Sequence, residues 1–174
     1  MACSLTTGRK VPCKSSVGGI KTVYFADYGT LGDATIVSGE ITSFSGLSIE
    51  WFQYDLKGTS TLETAVNSSR ENGTTFYETT LTLSLPYLDL ATQEELKLLA
   101  AGRPHIAIED YNGNVFLVGL EHGGDVNGGT ISTGAAMGDL SGFNLTFIAQ
   151  ETAPPYFVAD GVIVGDAIQI DPTA

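Results

Sequence analysis

Over most of the chain apolar and polar residues alternate with a period of two, the pattern of half-buried β-strands. Ile20 to Asp27 alternates, with Val23 and Phe25 on one face; Ala34 to Phe44 follows the Gly32-Asp33 turn; Leu47 to Leu56 places Leu47, Ile49 and Trp51 on one side. Lys57-Gly58 turns the chain into a weaker alternating stretch, Thr59 to Asn67, and Glu71-Asn72-Gly73 turns it again into Thr74 to Leu85. There Tyr77, Leu81, Leu83 and Leu85 oppose Glu78, Thr80, Thr82 and Ser84, which predicts a sheet with one dry and one wet face.

A single helix interrupts the strands. Thr92 followed by Glu95 reads as a capping box, Leu96, Leu99 and Ala100 make a narrow apolar stripe, Gly102 suits a left-handed residue after the last turn, and Pro104 forbids continuation. The expected helix spans about residues 92 to 102. Ile106 and Ile108 then lead to Asn112-Gly113, a strong hairpin signal, and Val115 to Leu120 returns with apolar residues on both faces. Phe143 to Gln150 alternates as a last half-buried strand. The glycine-rich stretch before it reads as a long, functional or mobile connection. After Pro154-Pro155, the apolar Val162-Ile163-Val164 with Ile168 and Ile170 reads as an extended arm that pairs either with its own sheet or, the favoured reading, with a neighbouring subunit.

At 174 residues the chain suits one domain with a sizeable core, and 43% hydrophobic against 16% charged residues describes a folded protein. The expected division is an N-terminal arm (1–19), a β-domain (20–153) and a C-terminal arm (154–174). Eight basic against 20 acidic residues give a net charge of −12. This excludes a basic groove wrapped around nucleic acid, because such binding comes from Lys and Arg neutralising phosphates. The charge is also uneven: residues 1–21 carry Arg9, Lys10, Lys14 and Lys21 with no acid, and residues 104–174 carry nine acids with no base. Arg9 and Lys10 are therefore candidates for docking on an acidic surface, including that of another copy; a solvated basic tail is the alternative.

Candidate chemistry is sparse. Neither His105 nor His122 lies in a recognisable nucleophile, zinc-protease or phosphate-loop motif, so no catalytic residue, cofactor or metal is expected. Asp125-Val126-Asn127-Gly128-Gly129 begins like a calcium loop but has glycines where oxygen ligands belong and Ala136 where the closing Glu would stand; a turn is the preferred reading. Cys3 and Cys13 read as free thiols rather than zinc ligands or a disulfide, and the three Asn-x-Ser/Thr sequons as a by-product of Ser and Thr content. No secretory signal or membrane span is expected.

Several segments in this order carry a family likeness: Val17-Gly18-Gly19-Ile20-Lys21 before Val23-Tyr24-Phe25, Glu71-Asn72-Gly73-Thr74 before a long strand, Ala91-Thr92-Gln93-Glu94-Glu95-Leu96, Asp110-Tyr111-Asn112-Gly113-Asn114, and Gly134 to Phe143. From about Ile20 to Glu151 the chain resembles the tail tube (major tail) proteins of bacteriophages, with the closest likeness to those of phages infecting Bacteroidetes-type bacteria. The resemblance implies a mainly β, two-sheet sandwich or barrel with one helix and extended arms. It further implies hexameric rings stacked into a virion tail tube, assembled in host cytoplasm with terminator, baseplate or tape-measure partners, conducting DNA without binding it tightly. On that reading Glu63, Glu78 and Thr80 are lumen-lining candidates, and Arg9, Lys10, Val162, Ile163 and Val164 are inter-subunit arm candidates. Two other readings stand beside it: another virion part such as a tail completion or head decoration protein, and a glycan-binding β-sandwich, which would need Trp51 or Tyr111 exposed.

Overall fold

The computed structural model describes residues 7–9, 14–56 and 59–164. It is mainly β, with two sheets and one helix. Along the chain come β1 (Ile20–Ala26), β2 (Ala34–Val37), β3 (Glu40–Phe44), β4 (Phe52–Asp55), β5 (Thr61–Ser69) and β6 (Thr74–Pro86). Helix α1 (Leu90–Ala101) follows, then β7 (His105–Asp110), β8 (Val115–Val118), β9 (Asp125–Ser132), β10 (Gly142–Glu151) and β11 (Tyr156–Val158). One sheet has seven strands in the order β2-β3-β11-β8-β7-β1-β4, and the other has four in the order β5-β6-β10-β9.

The main core lies between the sheets. Val23, Phe25, Ile106 and Ile108 of the larger sheet meet Leu81, Leu83, Phe143 and Phe147 of the smaller one, with Leu96 of α1 joining them. Each side chain of this size stabilises the fold by roughly 1.5–3 kcal/mol on burial. A second core sits on the far face of the seven-stranded sheet, where Ala26, Leu31, Ile41, Trp51, Ala107, Leu117 and Val158 pack together. Because both faces are covered, His105, Ile106, Ala107 and Ile108 are all buried in succession, as in strands dry on both sides.

Several sequence expectations shift. Ala34 to Phe44 is two strands, because Ser38 and Gly39 adopt φ values of 54° and 88° and turn the chain back on itself. Leu47 to Leu56 is a strand only from Phe52; Leu47 is 94% exposed while Trp51 is buried against Phe44. The cause is the anchoring of Ser45-Gly46 on the preceding turn: Gly46 N–H donates to Leu31 O, and a side chain at Gly46 would collide with the Thr30 carbonyl. The helix starts earlier than the Thr92 box predicts, since Asp89 is the N-cap and its carboxylate accepts the Thr92 N–H at 2.8 Å. Its end is not left-handed either: Gly102 has φ −97° and donates to Leu98 O and Leu99 O. Within the glycine-rich stretch, residues 125–132 form β9 rather than a loop, paired along β10 with a bulge that leaves Asn127 as the extra residue. After Pro154-Pro155 the chain turns back and adds β11 to its own sheet, antiparallel to β8 and parallel to β3.

Candidate functional site: an uncovered polar sheet face

The four-stranded sheet presents its second face to solvent, and register decides what stands there. Thr61 lies opposite Thr82 and Thr82 opposite Thr146; Glu63 lies opposite Thr80 and Thr80 opposite Ile148; Ala65 lies opposite Glu78 and Glu78 opposite Gln150. Ser84 with Asn144 and Thr130 continues the same face. Side chains alternate across a strand, so this face carries mainly Thr, Ser, Asn, Gln and Glu, with Ala65 and Ile148 among them, while Leu62, Leu81, Leu83, Leu145 and Phe147 fill the other. Glu63 and Thr80 therefore face each other across β5 and β6, with Glu78 one diagonal step away. Gln150 Nε2 donates to Glu78 Oε2 at 2.6 Å, which fixes one carboxylate on the face, while Glu63 is exposed.

Among the described residues both edges of this sheet are open. β5 has β6 on one side only, and β9 has β10 on one side only. Each edge also shows an apolar residue on its dry side: Val66 is 62% exposed and Ile131 is 65% exposed. Beyond the core the β5–β6 hairpin continues to Arg70-Glu71-Asn72-Gly73, held by hydroxyl pairs between Thr64 and Thr79 and between Ser68 and Thr75, each 3.0 Å apart. At the opposite end of the sheet the β9–β10 loop is pinned by Asp139, whose exposed carboxylate accepts the Ala135 and Ala136 N–H groups. Those two bonds hold its pKa below the ordinary carboxylate value. Met137 at the tip of that loop is fully exposed.

Other polar groups act as braces. The His105 Nδ1 lies 2.6 Å from Gly119 O and its Nε2 accepts Gly29 N–H at 3.0 Å, an arrangement that requires the neutral ring with the proton on Nδ1. Burial pushes this histidine's pKa down, against the opposing pull of the Gly119 carbonyl. Asp110 accepts four hydrogen bonds from Asn112 and Asn114 at the hairpin tip. Burial alone would raise its pKa, but those bonds together hold it below the ordinary value. A cleft of about 200 Å³ is lined by Tyr24, Glu109, Val115 and Asp160, but Glu109 is already engaged by Lys21 Nζ at 2.6 Å and by the Tyr24 hydroxyl at 3.2 Å. Burial and the adjacent Glu109 charge push Tyr24 up to about 12.

Glu121, His122 and Glu151 bring three ligand-type atoms within 4.8 Å of one another. Residues 121 and 151 are too far apart in the chain for spacing to reveal this. Glu151 Oε1 accepts the Glu121 and His122 N–H groups at 3.0 and 2.9 Å, and its Oε2 lies 3.1 Å from His122 Nδ1, so the carboxylate ties the loop after β8 to the end of β10.

Among the arm candidates, Val162 and Ile163 pack partly buried against the chain's own second core, and Val164 is 69% exposed. Arg9 is exposed; Lys10, Ile168 and Ile170 lie outside the described residues. Val17 is tied at both backbone groups to the Asn112 side chain. Trp51 is 3% exposed, whereas Tyr111 is 51% exposed. Among the described residues no helix is long and apolar enough to cross a membrane. The chain matches no protein-family model, no curated protein and no solved structure.

Proposed function

We propose that the protein is a structural subunit of a bacteriophage tail tube, in which copies join edge to edge into rings and rings stack. The observation that supports this best is the four-stranded sheet itself: one long uncovered polar face and two open edges. An open edge is a template for pairing with another chain, and joining copies around a ring removes both edges of this sheet. β5 and β9 run in opposite directions, so the β9 edge of one copy meets the β5 edge of the next as a regular antiparallel pair. A contact of this kind uses two different surfaces and closes when the rotation per copy divides a full turn, six copies on the resemblance above.

The polar face then becomes the inner wall. Thr and Ser hydroxyls keep it wet, and Glu63 and Glu78 add negative charge in a protein whose net charge is −12. Such a wall offers phosphates no counterion-release gain and repels them, so DNA passes without adhering. The hairpin tip at Arg70–Gly73 and the Met137 loop stand at opposite ends of the same sheet, where successive rings would touch. Assembly would take place in host cytoplasm and the product would be part of the virion, with terminator, baseplate or tape-measure proteins setting length.

Electron microscopy of the purified full chain tests the reading. Hollow tubes or stacked rings are the expected result, with an acidic lumen; a lysine-lined channel, or discrete globular particles at every concentration, would overturn it. A glycan-binding sandwich is the weaker alternative, because Trp51, one of its two candidate platforms, is buried.

A further inference from the structure

The two open edges also carry enough pattern to specify how they meet, given the ring reading above. Crossing one copy at right angles to its strands, Leu62 lies opposite Leu81, Leu81 opposite Phe147, and Phe147 opposite Val126. Continuing straight into the next copy without any slip would set Val126 against Leu62 and Asp125 against Glu63, two carboxylates side by side. It would also leave Val66 and Ile131, the exposed apolar residues of the two edges, without partners.

Only even slips keep the wet face wet, because a slip of one residue turns every side chain over. A slip of two places Ile131 opposite Ser60 and Val126 opposite Thr64; a slip of six places them opposite Thr64 and Ser68. A slip of four places Ile131 opposite Leu62 and Val126 opposite Val66, provided the bulge at Asn127 is kept. On the polar face it sets Thr61 against Ser132, Glu63 against Thr130 and Ala65 against Gly128, with no like charges opposed. The same slip lets β5 and β9 overlap over nearly their full lengths.

We infer that β5 of one copy pairs antiparallel with β9 of a second copy of this chain in this one register, Leu62 opposite Ile131 and Val66 opposite Val126. A geometric consequence agrees with it. Four residues of stagger across a four-stranded sheet is one residue per strand. With a rise of about 3.3 Å per residue and a strand spacing of about 4.8 Å, the strands tilt by about 35° to the ring axis, within the range in which sheets close into barrels. Without the stagger they would stand upright, a geometry closed barrels do not use. The tilt does not depend on the number of copies. With six copies the wall is roughly 45 Å across, backbone to backbone.

Disulfide trapping in the full chain tests the register, with Cys3→Ser and Cys13→Ser as background. Leu62→Cys is combined with Ile131→Cys for the dry face, and Glu63→Cys with Thr130→Cys for the wet face, since neighbouring antiparallel pairs alternate in geometry and one of the two is the closer. Glu63→Cys with Asp125→Cys reports the unslipped register. Within one copy β5 and β9 are three strand spacings apart, about 14 Å, beyond disulfide reach, so a band above monomer is intermolecular. A ladder of linked oligomers from either slipped pair, with the unslipped pair remaining monomeric, is the expected result. Tubes or rings that cross-link only in the unslipped register overturn the register while leaving the ring reading intact. A wild-type chain that forms no rings overturns both. If the cysteine variants do not assemble and the wild type does, a density map of the wild-type assembly decides: Ile131 stands opposite Leu62 of its neighbour, or the inference is wrong.

Discussion

In the seven-stranded sheet, His105 to Ile108 are buried without interruption, whereas in the four-stranded sheet Thr79 to Pro86 alternate between buried and half-exposed. The difference lies in what covers each sheet. The larger one has a second core on its far side, built by the 27–34 and 45–51 connections and by β11 with Val162 and Ile163. Among the described residues nothing covers the far side of the smaller one, and apart from Ala65 and Ile148 its face is mainly hydroxyl, amide and carboxylate. Among the described residues each sheet ends in two strands paired on one side only, β2 and β4 in the larger and β5 and β9 in the smaller, so the contrast lies in the faces: one sheet is covered on both sides and the other keeps a wet face. On the tail-tube proposal, the sheet with the bare face is where assembly has something to add.

Substitutions that separate the two sheets sharpen this contrast. The largest effect is expected in the shared core: Phe147→Ala should cost about 3–5 kcal/mol in urea unfolding. Ile41→Ala, on the far face of the larger sheet, should cost a comparable 2–5 kcal/mol or so. A loss under about 1 kcal/mol there would mean that the second cluster is not a core and that the larger sheet is as open as the smaller.

His105→Ala should cost about 2–3 kcal/mol, because it removes a buried ring and leaves the Gly29 N–H and Gly119 carbonyl without their partner. The same histidine makes stability pH-dependent. Its folded pKa is depressed below 6.5, so its contribution is complete above that value and is lost as pH falls from there through the folded pKa. His105→Gln, read for the slope of unfolding free energy between pH 7 and pH 5 or so, should flatten that part of the profile.

Asp110→Ala should cost about 1 kcal/mol, the tip being partly solvated. Its depressed carboxyl pKa makes that contribution present above the usual carboxylate pKa of 3.8 and lost as pH falls through the folded value. The difference between wild type and Asp110→Ala should therefore shrink in acid. The smallest effect belongs to the uncovered face: Glu63→Gln should change the stability of the isolated chain by no more than about 0.5 kcal/mol. A cost above about 2 kcal/mol, by the same unfolding assay, would show that this face is structurally engaged within one copy.

Much of this architecture was legible along the chain. The dry and wet faces of β6 and β10 follow from strict alternation, and the Asn112-Gly113 hairpin and the lone helix follow from local turn and cap chemistry. Where local rules erred, the cause was local at the helix start and long-range in the strands. Asp89, three residues ahead of Thr92, takes the cap by accepting the Thr92 N–H. β9 was hidden because Gly128 and Gly129 erase the alternation that would announce a strand; pairing with β10 supplies the order that side chains do not. β11 is only three residues long and stands after two prolines, so its place depends on β3 and β8 rather than on its own propensity.

The candidate site divides in the same way. That Glu63, Glu78 and Thr80 occupy wet positions could be read from the period of two, since alternation is a local property of the extended backbone. That they share one face required the β5–β6 register, which side-chain packing decides across the sheet. Sequence by itself determined a β-rich acidic chain with one long amphipathic strand pair and a single capped helix, because backbone geometry and burial of apolar residues act over a few residues at a time. The tertiary structure alone decided which sheet receives a second core and which keeps a bare polar face, because covering a face takes segments far apart in the chain.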